Sequence, residues 1–197
     1  LLPQVPAQKN GKRVALIGAG SASLTVANDL LPLGYHLTIF EAFNKAGGLM
    51  RTNIPSFRLP AEVLDEEIGF IVDRGVDLRL GARVESLRKL LDSKEFDAVF
   101  VGSGAPRGKE LKIPGREEGA ANIHIGIAWL ESVAFGHLDR IGERVLIIGV
   151  GNTAMDCCRT SLRLGAKNVK VMARKPRAFF KASDWELKDA EEENVEI

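Results

Sequence analysis

Two short apolar runs each lead into a glycine-x-glycine turn, and that pairing leaves the chain few ways to fold. Val14-Ala15-Leu16-Ile17 enters Gly18-Ala19-Gly20-Ser21-Ala22-Ser23, and Val145-Leu146-Ile147-Ile148 enters Gly149-Val150-Gly151-Asn152-Thr153-Ala154. Such a run specifies a parallel strand, a tight turn and a helix. One glycine makes the turn, a second admits a close neighbour to the backbone, and a small third residue lets helix cross strand. Ser23 and Ala154 occupy that third place. The first-turn amides beyond Gly20 and Gly151 have no intrahelical acceptor and sit at the positive end of the helix dipole. A pyrophosphate fits there without any basic side chain. Each segment reads as the entrance to a Rossmann βαβ unit.

The two units differ where their second strand ends. Leu37-Thr38-Ile39-Phe40 runs into Glu41, whereas Val169-Lys170-Val171-Met172 runs into Ala173-Arg174-Lys175, with no acid. A carboxylate roughly twenty residues past the turn binds a ribose diol, and a cation there accommodates a 2′-phosphate. Two dinucleotides of unlike kind are expected. Two in one chain suggest electrons passing between them.

The alternation of strand and helix predicts an α/β fold with parallel sheets covered on both faces. Strands are expected at 13–17, 37–40, near 77–80, at 96–101 (fully buried), 144–148 and 169–172. Helices are expected at about 22–31, 60–74, 86–91, 123–135, 152–164 and 183–193. A Gly- and Pro-rich loop spans Ala42 to Leu59, and Gly75 and Gly165 suit helix stops. Ser183 and Glu186 form a capping-box pattern. Residues 1–11 read as a Pro-containing linker and 109–122 as a second linker. Between and after them stand 12–108 and 123–197, the latter holding about half of a dinucleotide domain.

Composition excludes several classes. Net charge is +1, so bulk electrostatics point to neither nucleic acid nor an anionic membrane, and no apolar run approaches a transmembrane span. The two cysteines, Cys157 and Cys158, are neighbours on a helix rather than a Cys-x-x-Cys pair, which suits small helix residues in a reduced, cytoplasmic protein. His36, His124 and His137 stand apart from any metal-ligand pattern. Trp129 and Trp185 read as core residues, and Glu191-Glu192-Glu193 as a solvated helix end. Arg177 and Lys181 add to the cations at Arg174-Lys175.

Further motifs narrow the class. Gly47-Gly48-Leu49-Met50-Arg51, then Ile54-Pro55-Ser56-Phe57-Arg58-Leu59-Pro60, resembles the GGL…IPxFRLP segment of the glutamate synthase small-subunit family, which includes the amino-terminal reductase region of dihydropyrimidine dehydrogenase. Gly149-Val150-Gly151-Asn152-Thr153-Ala154-Met155-Asp156 resembles its G-x-G-[ND]-T-A-x-D motif. The strand Phe96–Val101 with Gly102-Ser103-Gly104 is similar to its strand and turn returning from the flavin domain. The likeness covers about residues 12–197.

The resemblance implies FAD in the first unit. Gly18, Ala19, Gly20, Ser21 and Ala22 would line its pyrophosphate, and Glu41 would hold the adenosine ribose. Gly47, Gly48 and Leu49 with Arg58 would follow the cofactor, and Val84 would make an adenine-side contact. It implies NADP, with NAD possible, in the second. There Gly149, Val150, Gly151, Asn152 and Thr153 would face the pyrophosphate, with Arg174, Lys175 and Lys181 at the 2′-phosphate. The implied activity is hydride exchange between NAD(P)H and FAD, with electrons going on to an iron–sulfur domain or subunit and a larger catalytic subunit. No side chain is named as catalytic, because the cofactors carry the chemistry. Two alternatives stand beside it. One is an FAD/NAD(P) electron-transfer subunit of another complex, such as a metal-dependent aldehyde or formate oxidoreductase. The other is a non-catalytic nucleotide-binding assembly module. Ser21 stands where the family has Pro. Measured against the family, these 197 residues are expected to lack the iron–sulfur region and the carboxyl-terminal half of the flavin domain.

Overall fold

In the computed structural model, which describes residues 4–197, the chain separates into two units. The first comprises the described residues through Arg51 together with Ser56–Ala105, and the second Thr52–Pro55 with Pro106–Ile197. Residues 1–3 of the expected opening linker lie outside the described residues.

The first unit follows the order β1 (Arg13–Ile17), α1 (Ser21–Leu30), β2 (His36–Phe40), α2 (Leu49–Thr52), α3 (Ala61–Val72), β3 (Val76–Arg79), α4 (Leu87–Asp92) and β4 (Ala98–Val101). Its strands pair in parallel in the order β3-β2-β1-β4. The central strand β1 buries Val14, Ala15 and Leu16 in succession, as a strand flanked on both sides must. Leu24 and Ala27 of α1 and Leu64 and Ile68 of α3 join the same core, at the helical spacing the sequence shows. Gly75, at φ +107°, ends that helix region. Register matters most: Ile17 stands opposite both Phe40 and Val101, so Gly18, Glu41 and Gly102 follow three neighbouring strands at one end of the sheet.

Two expectations need correction here. The strand expected at 96–101 begins at Ala98 and is only partly covered, because it forms the edge of this sheet. The 42–59 segment contains the single turn α2, which its Gly and Pro content concealed.

The second unit contains α5 (Gly126–Ala134), β5 (Arg144–Ile148), α6 (Asn152–Arg163), β6 (Asn168–Met172) and α7 (Asp184–Glu192). β5 and β6 pair in parallel, with Ile148 opposite Met172. Val169 and Val171 point into a core with Met155, Cys158, Leu187 and Ala190, while Trp129, Leu130 and Cys157 join α5 to α6. Among the described residues this sheet is not covered on both faces: Leu146 is 59 % exposed, and Ile148 and Met172 are also exposed.

α6 is buried along Met155–Ser161 although much of that stretch is polar. Its Arg159 meets Glu186 at 3.6 Å, Asp189 at 3.0 Å and Glu193 at 3.0 Å, and Arg163 also reaches Glu193. This network corrects three expectations. The capping box does not form: Glu186, fully buried, is drawn to Arg159, and the Ser183 hydroxyl makes no cap. The acidic end is not merely solvated, since Glu191 pairs with Arg177 and Glu193 with Arg159 and Arg163. Trp185 is 55 % exposed rather than core, because it projects from the side of α7 opposite Leu187 and Ala190. No helix among the described residues is long and apolar enough to cross a membrane.

Candidate functional site

The first turn is built by backbone approach. Gly18 has φ +88° and donates its amide to Phe40 O at 2.8 Å. A Cβ at this position would lie 2.7 Å from Gly102 O, so only glycine fits between the strand ends. Ser23, fully buried, packs against Gly102, where the small third residue of the turn was expected. Gly20 precedes α1 with extended dihedrals, and the first helical hydrogen bond runs from Leu24 N to Gly20 O. The amides of Ser21, Ala22 and Ser23 therefore face outward without intrahelical acceptors.

Glu41 lies beside this turn, 6 % exposed, its carboxylate held by two main-chain donors. Ala19 N donates to Oε2 at 2.7 Å and Phe43 N donates to Oε1 at 2.9 Å. Each carboxylate oxygen keeps acceptor capacity for a ribose hydroxyl. Gly47 and Gly48 are brought against the same turn: Gly47 N donates to Ala19 O at 2.9 Å, and a Cβ on Gly48 would meet Gly20 Cα at 2.8 Å. Leu49 begins α2 directly after them. Val84, half-buried, follows Ala82, whose amide donates to Glu41 O at 2.7 Å, so that stretch also borders the acid. Arg58 is partly buried in the loop before α3. A residue the sequence reading did not single out, Arg51, fastens this region by donating to Ala46 O and pairing with Asp65.

The second turn differs in what surrounds it. Gly149 has φ +130° and donates its amide to Met172 O at 3.0 Å. Gly151 has φ −105° and ψ 173°, a conformation open to any residue. Apart from their immediate chain neighbours, no atom among the described residues lies within 4 Å of a Cβ built on Gly149 or Gly151. Packing of the chain on itself does not require Gly151. A ligand pressed against the backbone, with the free amides of Asn152 and Thr153 available to it, would. The residues present thus fit a pyrophosphate at both turns.

The register also fixes the counterpart of Glu41. Ile17 pairs with Phe40 and Ile148 with Met172, so the residue matching Glu41 in the second unit is Ala173. The acid is replaced by a methyl group, and the cations follow one residue later. Arg174 and Lys181 are exposed and have no ion-pair partner among the described residues, while Lys175 lies over the Phe179 ring at 5.5 Å. Arg177 does not add to this group of cations as expected, because Glu191 neutralises it. The loop carrying them is tied to the turn: Lys181 N and Ala182 N both donate to Val150 O, at 3.0 and 2.9 Å, and Ser183 N donates to Asn152 Oδ1 at 3.0 Å.

Cys157 and Cys158 are buried and unpaired, and burial pushes both thiols up to about 12. Thiols held that firmly in the protonated form are poor nucleophiles.

The family model for pyridine nucleotide-disulphide oxidoreductases matches residues 12–197. The chain belongs to that family. Its fold and family are those of FAD- and NAD(P)H-binding oxidoreductases. It is 39 % identical over 198 residues to the NADP(+)-dependent formate dehydrogenase subunit beta of Moorella thermoacetica, an overlap of 98 % of this chain and 27 % of that protein. It is 33 % identical over 211 residues to the glutamate synthase [NADPH] small chain of Azospirillum brasilense, covering 99 % of this chain and 43 % of that one. Among solved structures, Mycobacterium tuberculosis FprA in complex with NADPH superposes with a TM-score of 0.77 at 19 % identity, over 92 % of this chain and 47 % of that one. This family member spans between about a quarter and a half of the length of these relatives.

Proposed function

We propose that this chain forms the paired coenzyme cradles of an electron-transfer flavoprotein subunit, with FAD at residues 12–108 and NADPH at 123–197. The contrast between Glu41, buried beside the first turn, and Ala173 followed by Arg174 at the equivalent place in the second carries this reading. A buried carboxylate selects a ribose diol and repels a 2′-phosphate, whereas a methyl group with unpaired cations beside it does the reverse.

Gly18 to Ala22 would hold the FAD pyrophosphate and Glu41 its ribose, with Gly47, Gly48, Leu49, Arg58 and Val84 along the cofactor. Gly149 to Thr153 would hold the NADPH pyrophosphate, with Arg174, Lys175 and Lys181 on the 2′-phosphate. When bound, the two coenzymes supply the hydride and single-electron chemistry. The chain's own residues bind and orient them, and none is assigned a catalytic role. An iron–sulfur domain or subunit and a larger catalytic subunit would take the electrons, in a cytoplasmic complex such as glutamate synthase.

A second reading keeps the cradles and changes the complex. The relative at 39 % identity is named as the beta subunit of an NADP(+)-dependent formate dehydrogenase, against 33 % for the glutamate synthase small chain. That favours a subunit which delivers electrons to NADP+ from a metal-dependent oxidoreductase.

Titration of the protein with FAD, followed by anaerobic addition of NADPH, tests the shared core. The expected result is a bound yellow chromophore that NADPH bleaches. A protein that retains neither coenzyme would remove both readings. Co-purification with a glutaminase-bearing large subunit, or with a formate-oxidising one, separates them.

A further inference from the structure

Asn152 opens α6, one residue past the second turn, where its own amide is free for an anion. Its side chain points elsewhere. Oδ1 accepts the Ser183 amide at 3.0 Å, across 31 residues of sequence. Ser183 is the residue before α7, and the segment between β6 and α7 carries Arg174, Lys175 and Lys181. Val150 O, two residues earlier in the turn, accepts from Lys181 N and Ala182 N. The Arg177–Glu191 pair closes the other side of the segment onto α7.

The turn and the cationic loop are therefore one hydrogen-bonded assembly, and among the described residues Asn152 supplies the only side-chain hydrogen bond between them. Main-chain acceptors such as Val150 O exist whatever residue stands there. The Asn152 link exists because this side chain ends in an acceptor of the right length.

We propose that Asn152 is a positioning residue for coenzyme selectivity: its Oδ1 holds the 174–183 loop in the place where those cations meet a 2′-phosphate. This rests on the reading of the second turn as an NADPH cradle. The pyrophosphate is common to NADPH and NADH and is served by main-chain amides that the side chain does not touch. Loosening the loop alters only the contact the two coenzymes do not share. The nicotinamide coenzymes are thus told apart partly by a residue that faces away from the phosphate it helps to read.

The test is direct binding of NADPH and of NADH, by calorimetry, to Asn152→Leu, Ser183→Pro, the double variant and Arg174→Ala. Asn152→Leu removes the acceptor at similar volume. Ser183→Pro removes the donor, at a residue whose φ of −66° is already that of proline. Each single variant is expected to weaken NADPH about three- to ten-fold, the share of affinity that one such hydrogen bond carries. NADH should lose less than NADPH, so that the NADPH:NADH affinity ratio falls in each single variant. The double variant should be no worse than either single one, because both remove the same link.

Equal weakening of both coenzymes, or additive losses in the double variant, would overturn the proposal. Arg174→Ala separates the two levels. If it leaves the NADPH:NADH ratio unmoved, the 2′-phosphate reading itself fails. If it shifts the ratio while the Asn152 and Ser183 variants do not, the inference about Asn152 fails alone. Binding of neither coenzyme by the unaltered protein sinks both.

Discussion

Gly151→Ala separates what the fold needs from what a ligand needs. The residue is extended, at φ −105° and ψ 173°, and apart from its chain neighbours a Cβ there meets nothing within 4 Å. Two small terms act on stability. Alanine is a poorer N-cap than glycine by about 0.5 kcal/mol. It also narrows the unfolded ensemble, which returns about 0.4–1 kcal/mol. The two nearly cancel, so the melting temperature should stay within about 3 °C of the parent. Coenzyme binding should respond very differently. In the proposed cradle the methyl group would stand where the pyrophosphate meets the backbone, and displacing that phosphate would forfeit at least one charge-assisted hydrogen bond, about 1.5–3 kcal/mol. That is about a ten- to hundred-fold loss in NADPH affinity. Thermal melting and calorimetric titration on the same sample measure both quantities. A variant that melts well below the parent, or one that binds NADPH normally, would refute the reasoning. Gly18→Ala is the internal contrast: at φ +88° and 2.7 Å from Gly102 O, it should destabilise the protein whether or not a ligand is present.

Three further outcomes follow from the same geometry. Glu41→Ala removes the acceptor of the Ala19 and Phe43 amides, which should cost about 2–4 kcal/mol of stability and weaken FAD retention while NADPH affinity is unchanged; parallel loss of both coenzymes would contradict the separate assignment of the two turns. Arg159→Leu removes the cation that faces buried Glu186, so a loss of about 3 kcal/mol and a fall of about 6–12 °C in melting temperature are expected; an unchanged melting curve would mean that the network joining α6 to α7 contributes nothing net. Burial raises the thiols of Cys157 and Cys158 from 9.0 to about 12, so the folded state holds those protons above the pH at which an unfolded chain releases them. Their contribution to stability is complete below pH 9 and declines towards 12, and a thiol reagent at pH 8 should label neither cysteine until the protein is denatured.

The order of elements, the two parallel strand pairs and both glycine turns were legible in the amino-acid sequence. They depend on local rules: an apolar run of strand length, a glycine at positive φ, and an acid or a cation at a set distance beyond. Glu41 was legible for the same reason, since the end of a strand follows from the strand itself. What the chain does between distant segments was not. Trp185 has apolar neighbours in sequence, yet it is exposed, because the buried side of α7 is chosen by Arg159 on α6. Ser183 and Glu186 have capping-box spacing, but a partner 27 residues before Glu186 outbids the local contact. The bond from Ser183 to Asn152 is likewise invisible in composition or spacing. Sequence alone determined that two dinucleotide-type turns would form, because a turn is decided within a few residues. Only the tertiary structure decided which side chains stand free at each turn and which are spent on the fold, because pairing of distant charges and amides is settled when the elements pack.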